Sequence, residues 1–413
     1  MLETPTRTRI GVGFVLLLSA LTAIGPLTFD TYLAAFPRIA ADLSATPTMV
    51  QFTLTASLAG LALGQVLIGS VSDAFGRRRP LLVALAIYVL VSAVMTTVDS
   101  IAALTALRFV QGFSAAAGMV LSLAIVRDNY SGIAVSKVIS RLMLVVGVAP
   151  ILAPTIGAQL LQLGSWRTIF GFLASVGAVL FVLAAAFLRE SLPVESRRTG
   201  GTGAAVRSYR DLLRDRAFLG LALLSAFYMS ALFTYVAAST FVFQDAFGLN
   251  AQQFGFVFAG GAASITIASQ LYGAMVGRFQ PERILTAAIA TGFVLATALL
   301  VVALAGGGLI PVTVLVILTL GTAGFVMPSA PAIALASNPH RAGSAAALLG
   351  ALQFGIGAVV APLTGLLGGS PVIAMSAVMF TMISLGAVLL LGVSRAWRRE
   401  SHPAIEARQP IRV

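Results

Sequence analysis

Residues 69–79 read Gly-Ser-Val-Ser-Asp-Ala-Phe-Gly-Arg-Arg-Arg and separate two long apolar stretches of the chain. Gly69 would allow a neighbouring helix to approach closely, and Asp73 places a carboxylate at a helix end. Gly76 permits a turn that a bulkier residue would strain, and the arginines after it would anchor the turn on the cytoplasmic side of a membrane. This spacing predicts a tight cytoplasmic loop between two membrane helices. The alternative is a basic turn that serves topology alone.

The composition of the whole chain favours a membrane environment. Charged side chains form 10% of the 413 residues and AVILMFWYC residues form 58%, whereas an ordinary soluble domain has about 25% charged residues. A soluble protein of this length cannot bury so much apolar surface. The sequence contains no cysteine, which excludes disulfides, cysteine-ligated zinc and thiol catalysis. We therefore predict an integral membrane protein.

Twelve stretches are long and apolar enough to cross a hydrocarbon core of about 30 Å as helices. They predict an all-α polytopic protein with two bundles of six transmembrane helices. The expected spans are 10–36, 48–71, 80–98, 101–125, 138–163, 166–188, 217–243, 251–276, 284–304, 309–336, 342–367 and 372–393. We expect interruptions at Pro26, Pro154, Pro328 and Pro362. The expected domains are a first bundle, a cytoplasmic linker, a second bundle and a basic cytoplasmic tail: residues 1–188, 189–216, 217–393 and 394–413.

The second part of the predicted linker, residues 206–218, has an amphipathic pattern. Tyr209, Leu212 and Leu213 alternate there with several arginines. Such a pattern is typical of a short helix that lies on an anionic membrane surface. A solvated linker explains it equally well, and the two interpretations stay open.

The positions of the basic residues predict the orientation of the chain. The net charge is +12, and 23 of the 26 Lys and Arg residues fall on cytoplasmic segments if the N-terminus is cytoplasmic, as the positive-inside rule requires. Arg38 and Arg167 fall on outer links, and Arg108 falls within a span. We therefore expect both termini in the cytoplasm. The charge is explained by topology, so we do not expect nucleic-acid binding.

Three elements of the sequence resemble the major facilitator superfamily. Residues 69–79 are similar to its signature loop between helices 2 and 3, and Arg108-Phe109-Val110-Gln111-Gly112 resembles the R-x-x-Q-G element of helix 4. In the fifth span, Pro154-Thr155-Ile156-Gly157 resembles the core of the antiporter signature, with Ala153 and Ala158 in place of glycine and Pro150 as a second proline. The resemblance implies a transporter that works by alternating access, with helices 1, 4, 7 and 10 around a central cavity.

The first span resembles a subfamily. Phe29-Asp30-Thr31-Tyr32-Leu33-Ala34-Ala35-Phe36-Pro37 looks like the corresponding segment of bicyclomycin- and chloramphenicol-resistance exporters, as do Arg127-Asp128 and residues 342–346. The resemblance implies a multi-pass drug/proton antiporter of the bacterial inner membrane that gives antibiotic or multidrug resistance. A metabolite or sugar facilitator or symporter on the same fold is the alternative. We expect no enzyme activity, metal or cofactor, and a monomer whose partners are a small drug, protons and the bilayer.

Two ionisable residues, Asp30 and Arg108, lie well inside predicted spans, where a charge is energetically costly. Each lies about 10 Å below the outer edge of its span, at 1.5 Å per helical residue. If both line the cavity that the resemblance implies, Arg108 would favour the ionised form of Asp30 and burial would favour the neutral form. We therefore expect Asp30 to carry the proton, with a static Asp30–Arg108 pair as the alternative. One acid and one base would leave the cavity nearly neutral, which suits neutral or zwitterionic amphipathic drugs.

Aromatic residues can form the walls of a binding cavity, and buried amides would be unsatisfied against lipid. The candidate substrate-binding residues are therefore Asp30, Tyr32, Gln51, Arg108, Gln111, Phe113, Tyr228, Tyr235 and Gln353. For each aromatic residue the alternative is packing against lipid or a neighbouring helix. Asp73 and Arg77 would latch the two bundles in the outward-open state, with Arg127 as ion partner. The candidate gate residues are Gly69, Asp73, Gly76, Arg77, Arg127, Pro150, Pro154 and Gly157.

Overall fold

The computed structural model describes residues 11–130, 133–197, 209–338 and 341–401. Its long helices are α1 Val12–Asp30, α2 Pro47–Phe75, α3 Arg78–Val94, α4 Ile101–Asn129, α5 Ile133–Leu163, α6 Arg167–Phe187, α7 Arg216–Thr240, α8 Ala251–Met275, α9 Pro281–Leu304, α10 Leu309–Ala336, α11 Ala342–Val360 and α12 Pro371–Ser401. Eleven helical segments are long and apolar enough to cross a membrane, and α5 contributes the shorter apolar segment Gly147–Leu163. The predicted all-α polytopic fold is confirmed.

Two predicted spans are each divided into shorter helical pieces. The span expected at 10–36 ends as α1 at Asp30, and a 3₁₀ turn, Leu33–Ala35, and a short helix, Phe36–Asp42, follow it. Pro37 stands in the first turn of that short helix, where its missing N–H leaves no bond unmade. The span expected at 342–367 likewise ends as α11 at Val360, just before Pro362. By contrast, three prolines at which we expected interruptions lie inside continuous helices: Pro26, Pro154 and Pro328.

The two halves of the chain, α1–α6 and α7–α12, repeat the same packing pattern. In the first half α1 packs on α4 and α5, α2 packs on α4, and α3 packs on α4 and α6. In the second half the corresponding pairs are α7 with α10 and α11, α8 with α10, and α9 with α10 and α12. The most extensive contacts between the halves are α2 with α11 and α5 with α8. These two pairs are equivalent under exchange of the halves, so the interface has the symmetry of a repeat.

The α2–α4 contact is the closest in the first half because glycine removes the side chains from it. A Cβ at Gly112 of α4 would overlap the carbonyl oxygen of Ser57, and a Cβ at Gly60 of α2 would overlap that of Phe109. Small residues let membrane helices approach in this way. Gly69 does not play the part that we expected, since a Cβ there would make only ordinary contact, at 3.8 Å from Val120.

The two ends of the molecule differ in which segments they carry. We call the end at which α2 joins α3, residues 69–79, the proximal end, and the end at which α1 finishes the distal end. The predicted topology assigns the proximal end to the cytoplasm. Parts of the predicted linker and tail, residues 198–208 and 402–413, lie outside the described residues.

The described end of the linker is attached to the second half. Residues 209–214 are helical, and within them Leu212 is fully buried. Asp211 forms an ion pair of 3.2 Å with Arg341, and Asp215 caps α7 by accepting bonds from its first backbone N–H groups. Because Leu212 is buried against the rest of the protein, its side chain cannot insert into a membrane surface. The described part of the linker is therefore a helix that packs on the second half.

Candidate functional site

Asp30 is the last residue of α1 and lies at the interface between the two halves. It is 7% exposed, and within the described ranges its carboxylate has no hydrogen bond or ion pair. On one side, Gly157 of α5 packs against the next residue, since a Cβ there would overlap the carbonyl oxygen of Thr31. On the other side, the carboxylate of Asp30 interacts electrostatically with the phenol of Tyr235 in α7. A buried carboxylate without a fixed partner thus faces the second half of the molecule.

Arg108 lies on the opposite side of α1 from this interface. Its Nη1 donates to the Thr28 carbonyl oxygen at 3.1 Å and to Gln111 Oε1 at 2.6 Å, and its guanidinium carbon lies 4.0 Å from the centre of the Tyr32 ring. Thr28 lies on α1 and Tyr32 just beyond its end, and no described hydrogen bond or ion pair joins Arg108 to Asp30, which lies between them in the sequence. The expected Asp30–Arg108 pair is therefore not formed in this conformation.

The surroundings of Arg108 are those of a residue in the interior of the first half. It is 0% exposed, and Gln111 continues its network by donating to Ser92 Oγ at 2.8 Å. Tyr32 is held by Phe36 at 5.0 Å and by a 2.9 Å hydrogen bond with Thr53. Arg108 Nε and Nη2 have no partner within the described part of the chain. Tyr32 and Gln111, both expected to contact substrate, are engaged inside one half instead.

Just beyond Asp30, a set of hydrogen bonds joins the two halves at the distal end. We call this set the distal seal. Thr240 Oγ1 donates to the Leu33 carbonyl oxygen at 3.0 Å, and Gln244 Nε2 donates to that of Ala34 at 3.3 Å. The donors stand where α7 passes into a π-helical turn, Phe241–Ala246, so irregular segments of the two equivalent helices contact each other.

Gln51 of α2 completes the distal seal rather than lining an open cavity. Its Nε2 donates to the Ala237 carbonyl oxygen at 3.3 Å, and its Oε1 accepts from Thr364 Oγ1 at 3.5 Å. Both partners belong to the second half. The other hydrogen bond between the halves among the described residues joins Thr266 of α8 to the Gly147 carbonyl oxygen of α5. The distal end is therefore closed in this conformation.

The remaining candidates for substrate contact lie at three kinds of position. Tyr235 is 2% exposed and stacks on Phe258 at 5.3 Å between ring centres. Tyr228 is buried inside the second half and lines a small internal cavity there. Gln353 donates to Ser225 Oγ at 2.6 Å within the same half, and Phe113 is half-buried on α4. Of these, Tyr235 alone lies within electrostatic reach of Asp30.

The proximal loop forms a compact ionic cluster. Arg77 Nη1 contacts Asp73 Oδ1 at 2.5 Å, and Arg77 Nε contacts Asp128 Oδ2 at 3.1 Å. Gly76 has a φ of 88°, which only glycine adopts easily. Arg127, the expected ion partner of Asp73, is exposed. The neighbouring Asp128 joins the cluster instead, because it binds Arg77, which also binds Asp73.

Glu190, which follows α6, caps the start of α3 and was not foreseen from the sequence. Its carboxylate accepts from the backbone N–H of Arg77 at 2.7 Å and of Arg78 at 3.2 Å. Burial acts to raise the pKa of Glu190, but the backbone N–H groups of Arg77, Leu192 and Arg78 and the charge of Arg197 outweigh it and hold that pKa below its ordinary value. The described ion pairs of this cluster stay within the first half and its following segment, so no latch to the second half is formed here.

A sequence comparison identifies the family. The model of the Major Facilitator Superfamily matches residues 18–362, most of the chain.

The chain belongs to the Major Facilitator Superfamily.

Several named proteins are similar in sequence to this transporter. It is 39% identical over 398 residues to the uncharacterized MFS-type transporter YdgK of Bacillus subtilis, which covers 96% of this chain and 98% of the relative. It is 33% identical over 350 residues to a bicyclomycin resistance protein homolog of Haemophilus influenzae, with 85% and 88% covered. The multidrug resistance protein MdtL of Vibrio parahaemolyticus is 29% identical over 249 residues, with 60% and 62% covered. The resemblance found in the first span is thus confirmed at the level of whole chains.

Solved structures confirm the fold of this transporter. A bacterial homolog of the human lysosomal transporter Spinster matches with a TM-score of 0.72 at 14% identity, over 92% of this chain and 96% of that one. The xylose transporter XylE of E. coli matches with a TM-score of 0.69 at 13% identity, over 92% and 97%. Family and fold together make this protein a multi-pass membrane transporter of the bacterial type with a small-molecule substrate.

At the distal end of the transporter, the two outer arginines have specific partners. Arg167 forms ion pairs of 2.6 Å with both Asp42 and Asp99, and Trp166 Nε1 also donates to Asp42 at 2.8 Å. Arg38 donates to the Leu161 carbonyl oxygen at 2.8 Å. These contacts explain why two basic residues depart from the charge bias of the other loops. The sequence pattern alone gives no signal that Asp42 and Asp99 converge on one arginine.

Proposed function

We propose that this transporter exports small amphipathic drugs in exchange for protons, by alternating access across the bacterial inner membrane. Asp30 is the proton carrier. The observation that carries the proposal is the position of Asp30: a buried carboxylate without a fixed partner, at the interface of the halves, next to the distal seal. Similarity to a bicyclomycin resistance protein homolog and to a multidrug resistance protein favours drugs as the substrate class.

The proposed cycle uses the closed distal end as one of its two states. With the proximal end in the cytoplasm, as the loop charges predict, the conformation described here admits drug from the cytoplasmic side. Drug binding at the interface displaces the proton from Asp30 to the cytoplasm. The halves then rock about their contacts, α2 with α11 and α5 with α8, so that the distal seal opens and an external proton replaces the drug.

Arg108 acts in this proposal as a positioning residue. Its bonds to Thr28 and its stacking on Tyr32 fix the end of α1 from inside the first half. The carboxylate between those two residues is thereby aimed at the second half. Gly157 supports the same segment from α5. Replacing Arg108 should therefore impair transport by displacing Asp30, without removing a group that touches the drug.

The test is drug susceptibility and proton exchange in a bacterial host that lacks its own drug pumps. Expression of the wild type should raise tolerance to phenicol or bicyclomycin-like drugs, and drug added to everted vesicles should release protons from a preformed gradient. Asp30→Asn should insert normally and lose both effects, because an amide cannot exchange a proton. Asp245→Asn, at an exposed acid near the distal end of α7, is the matched control and should retain them.

Two results would overturn the proposal. Retained drug-driven proton release in Asp30→Asn would remove Asp30 as the carrier. Uptake of a sugar or metabolite by the wild type, without any change in drug tolerance, would favour the facilitator or symporter that the sequence left as the alternative.

A further inference from the structure

The two halves of the molecule carry equivalent loops at the proximal end. Residues 76–80 read Gly-Arg-Arg-Arg-Pro between α2 and α3, and residues 277–281 read Gly-Arg-Phe-Gln-Pro between α8 and α9. Both loops begin with a glycine in the left-handed region, with a φ of 88° at Gly76 and of 96° at Gly277. The two loops can therefore be compared position by position.

The loop of the first half is bound to its own half. Arg77 forms ion pairs with Asp73 and Asp128, and Arg78 Nη2 donates to the Ala185 carbonyl oxygen at 2.6 Å. Two of the three arginines of this loop are thus neutralised or satisfied by protein groups.

The loop of the second half has no such partners. Ala274 stands four residues before Arg278, at the position that corresponds to Asp73. Arg278 and Arg283 are exposed, and neither forms an ion pair within the described part of the chain. A Cβ at Gly277 would meet no atom within 4 Å. Two guanidinium groups therefore face the surroundings of the protein.

The acid of this loop is directed elsewhere. Glu282 is half-buried and interacts electrostatically with the phenol of Tyr272 on α8. The backbone N–H groups of Arg278 and Phe279 both donate to the Met275 carbonyl oxygen, at 3.1 and 3.0 Å. This tight turn closes the end of α8 and leaves the side chains of both residues exposed.

Large apolar side chains are exposed beside the two arginines. Phe279 is 54% exposed and Val276 is 45% exposed. The exposed side chains that precede them on α8 are Ile267 and Leu271, which are four residues apart and share a face of the helix. An exposed apolar face of a membrane-spanning helix lies against acyl chains. The loop stands where this face ends, at the level of the lipid headgroups.

We propose that the α8–α9 loop binds the headgroup of an anionic glycerophospholipid. Arg278 and Arg283 bind the phosphate, because a guanidinium matches a phosphate group in charge and geometry. Phe279 inserts at the boundary between headgroups and acyl chains, as aromatic side chains next to basic ones do at membrane surfaces. A zwitterionic lipid binds more weakly, since its own ammonium group cancels the charge of its phosphate. The bound lipid anchors the second half to the bilayer while the first-half loop stays bound to protein.

The first experiment measures lipid binding to the purified full-length protein by native mass spectrometry. Phosphatidylglycerol and phosphatidylcholine with the same acyl chains are titrated separately, and the wild type should prefer phosphatidylglycerol. Arg278→Gln and Arg283→Gln should each lower the phosphatidylglycerol affinity about fivefold, and the double variant about thirtyfold. Their phosphatidylcholine affinity should stay unchanged. Inorganic phosphate at the same concentration should not displace the bound lipid.

The matched control is Arg79→Gln, which changes the exposed arginine of the first-half loop. It should change the phosphatidylglycerol affinity by less than about twofold, because no exposed second arginine and phenylalanine flank it in that loop. All of these variants should melt at the wild-type Tm without added lipid, since each changed side chain is exposed.

The second experiment tests the insertion of Phe279. The fluorescence that Phe279→Trp adds to the wild-type signal should be quenched by phosphatidylglycerol with bromine near the headgroup end of its acyl chains. Bromine at the chain ends should quench it less.

Three results would each overturn the inference. Equal affinity of the wild type for both lipids would remove the preference for an anion, and displacement by inorganic phosphate would indicate a phosphate site in place of a lipid site. An equal loss in Arg79→Gln and Arg278→Gln would show general attraction to a basic surface. None of these results bears on drug–proton exchange, which the Asp30→Asn experiment tests separately.

Discussion

Removing the side chains of the distal seal should open the distal end of the molecule. The change is the triple variant Gln51→Leu, Thr240→Val and Gln244→Leu, which removes three donors without adding bulk. The Thr240 bond to Leu33 is 3.0 Å long and the two amide bonds are 3.3 Å long. A net hydrogen bond contributes about 0.5–1.5 kcal/mol, so we assign about 1 kcal/mol to the threonine and about 0.5 kcal/mol to each amide.

The total of about 2 kcal/mol corresponds to about a thirtyfold change in the ratio of closed to open molecules. If the distal-open state holds about 1% of the wild type, a typical minor population, it should rise to about a quarter in the variant.

The population can be measured by spin labelling, since the chain has no native cysteine. Ala41→Cys on the short helix of the first half and Ala246→Cys at the end of the π-helical turn are both exposed at the distal end. The distance distribution between the two labels should gain a longer component in the triple variant, amounting to about a quarter of the pairs by the estimate above.

A matched control separates opening from general loosening. Thr234 lies on the same helix as Thr240, but its hydroxyl bonds to the Ser230 carbonyl oxygen of its own helix at 2.8 Å. Thr234→Val should therefore leave the distance distribution unchanged. The reasoning is refuted if the triple variant gives the wild-type distribution, or if Thr234→Val produces the same longer component.

Three further predictions concern the parts that hold the site in place. The pKa of Glu190 is lowered in the folded protein, so its stabilisation is present above its ordinary pKa of 4.5 and is lost as the pH falls through the folded value. Glu190→Gln should therefore lower Tm at pH 7, and the Tm values of wild type and variant should converge as the pH falls below that lowered pKa, which a pH series of melting curves tests. Gly157→Ala should destabilise the protein by about 1–3 kcal/mol through overpacking, whereas Gly273→Ala, where a Cβ meets open space, should keep or raise Tm. Asp42→Asn should lower Tm more than Asp99→Asn, because Asp42 binds two side chains and Asp99, with its side chain 85% exposed, binds one; equal losses would contradict this account.

The number and order of the membrane helices were predictable because each span must satisfy its backbone internally and present apolar surface to lipid. The ends of the helices were less predictable. Pro26 lies inside α1 and Pro328 inside α10, while Pro362 follows directly on the end of α11. In a membrane bundle, neighbouring helices and hydroxyl side chains can satisfy the groups that a proline frees. A proline in the sequence of a membrane span therefore does not by itself predict whether the helix ends there.

The sequence predicted the level of Asp30 and Arg108 along their helices, but not the side of the helix on which each of them lies. Counting residues from the span ends placed Asp30 and Arg108 at the same level, and the structure agrees, since Arg108 contacts Thr28 and Tyr32 on either side of Asp30. Which face of α1 each residue occupies depends on where that helix ends and on the rotation of α4. Neither quantity is encoded in hydropathy, so the sequence could not separate the two charges.

Partners that come from distant loops gave no usable signal. Glu190 belongs to a segment that looks like an ordinary polar boundary, yet its carboxylate binds the backbone of Arg77 in the folded chain. Gln244 could have been found by the same reasoning that selected Gln51, because it is an amide at the end of an apolar span. Its omission explains why the distal seal was not foreseen.

The carboxylate and the distal seal belong to the same short segments, and this constrains how the transporter can work. Leu33 follows Asp30 by three residues, and Thr240 follows Tyr235 by five. Asp30 and Tyr235 are therefore each followed, within five residues, by one of the two partners of the shortest hydrogen bond in the distal seal, Leu33 and Thr240. A ligand shifts an equilibrium only by the difference between its affinities for the two states. A proton or drug that opens the distal end must therefore bind the open state at least about thirtyfold more tightly than the closed one, to offset the three hydrogen bonds alone.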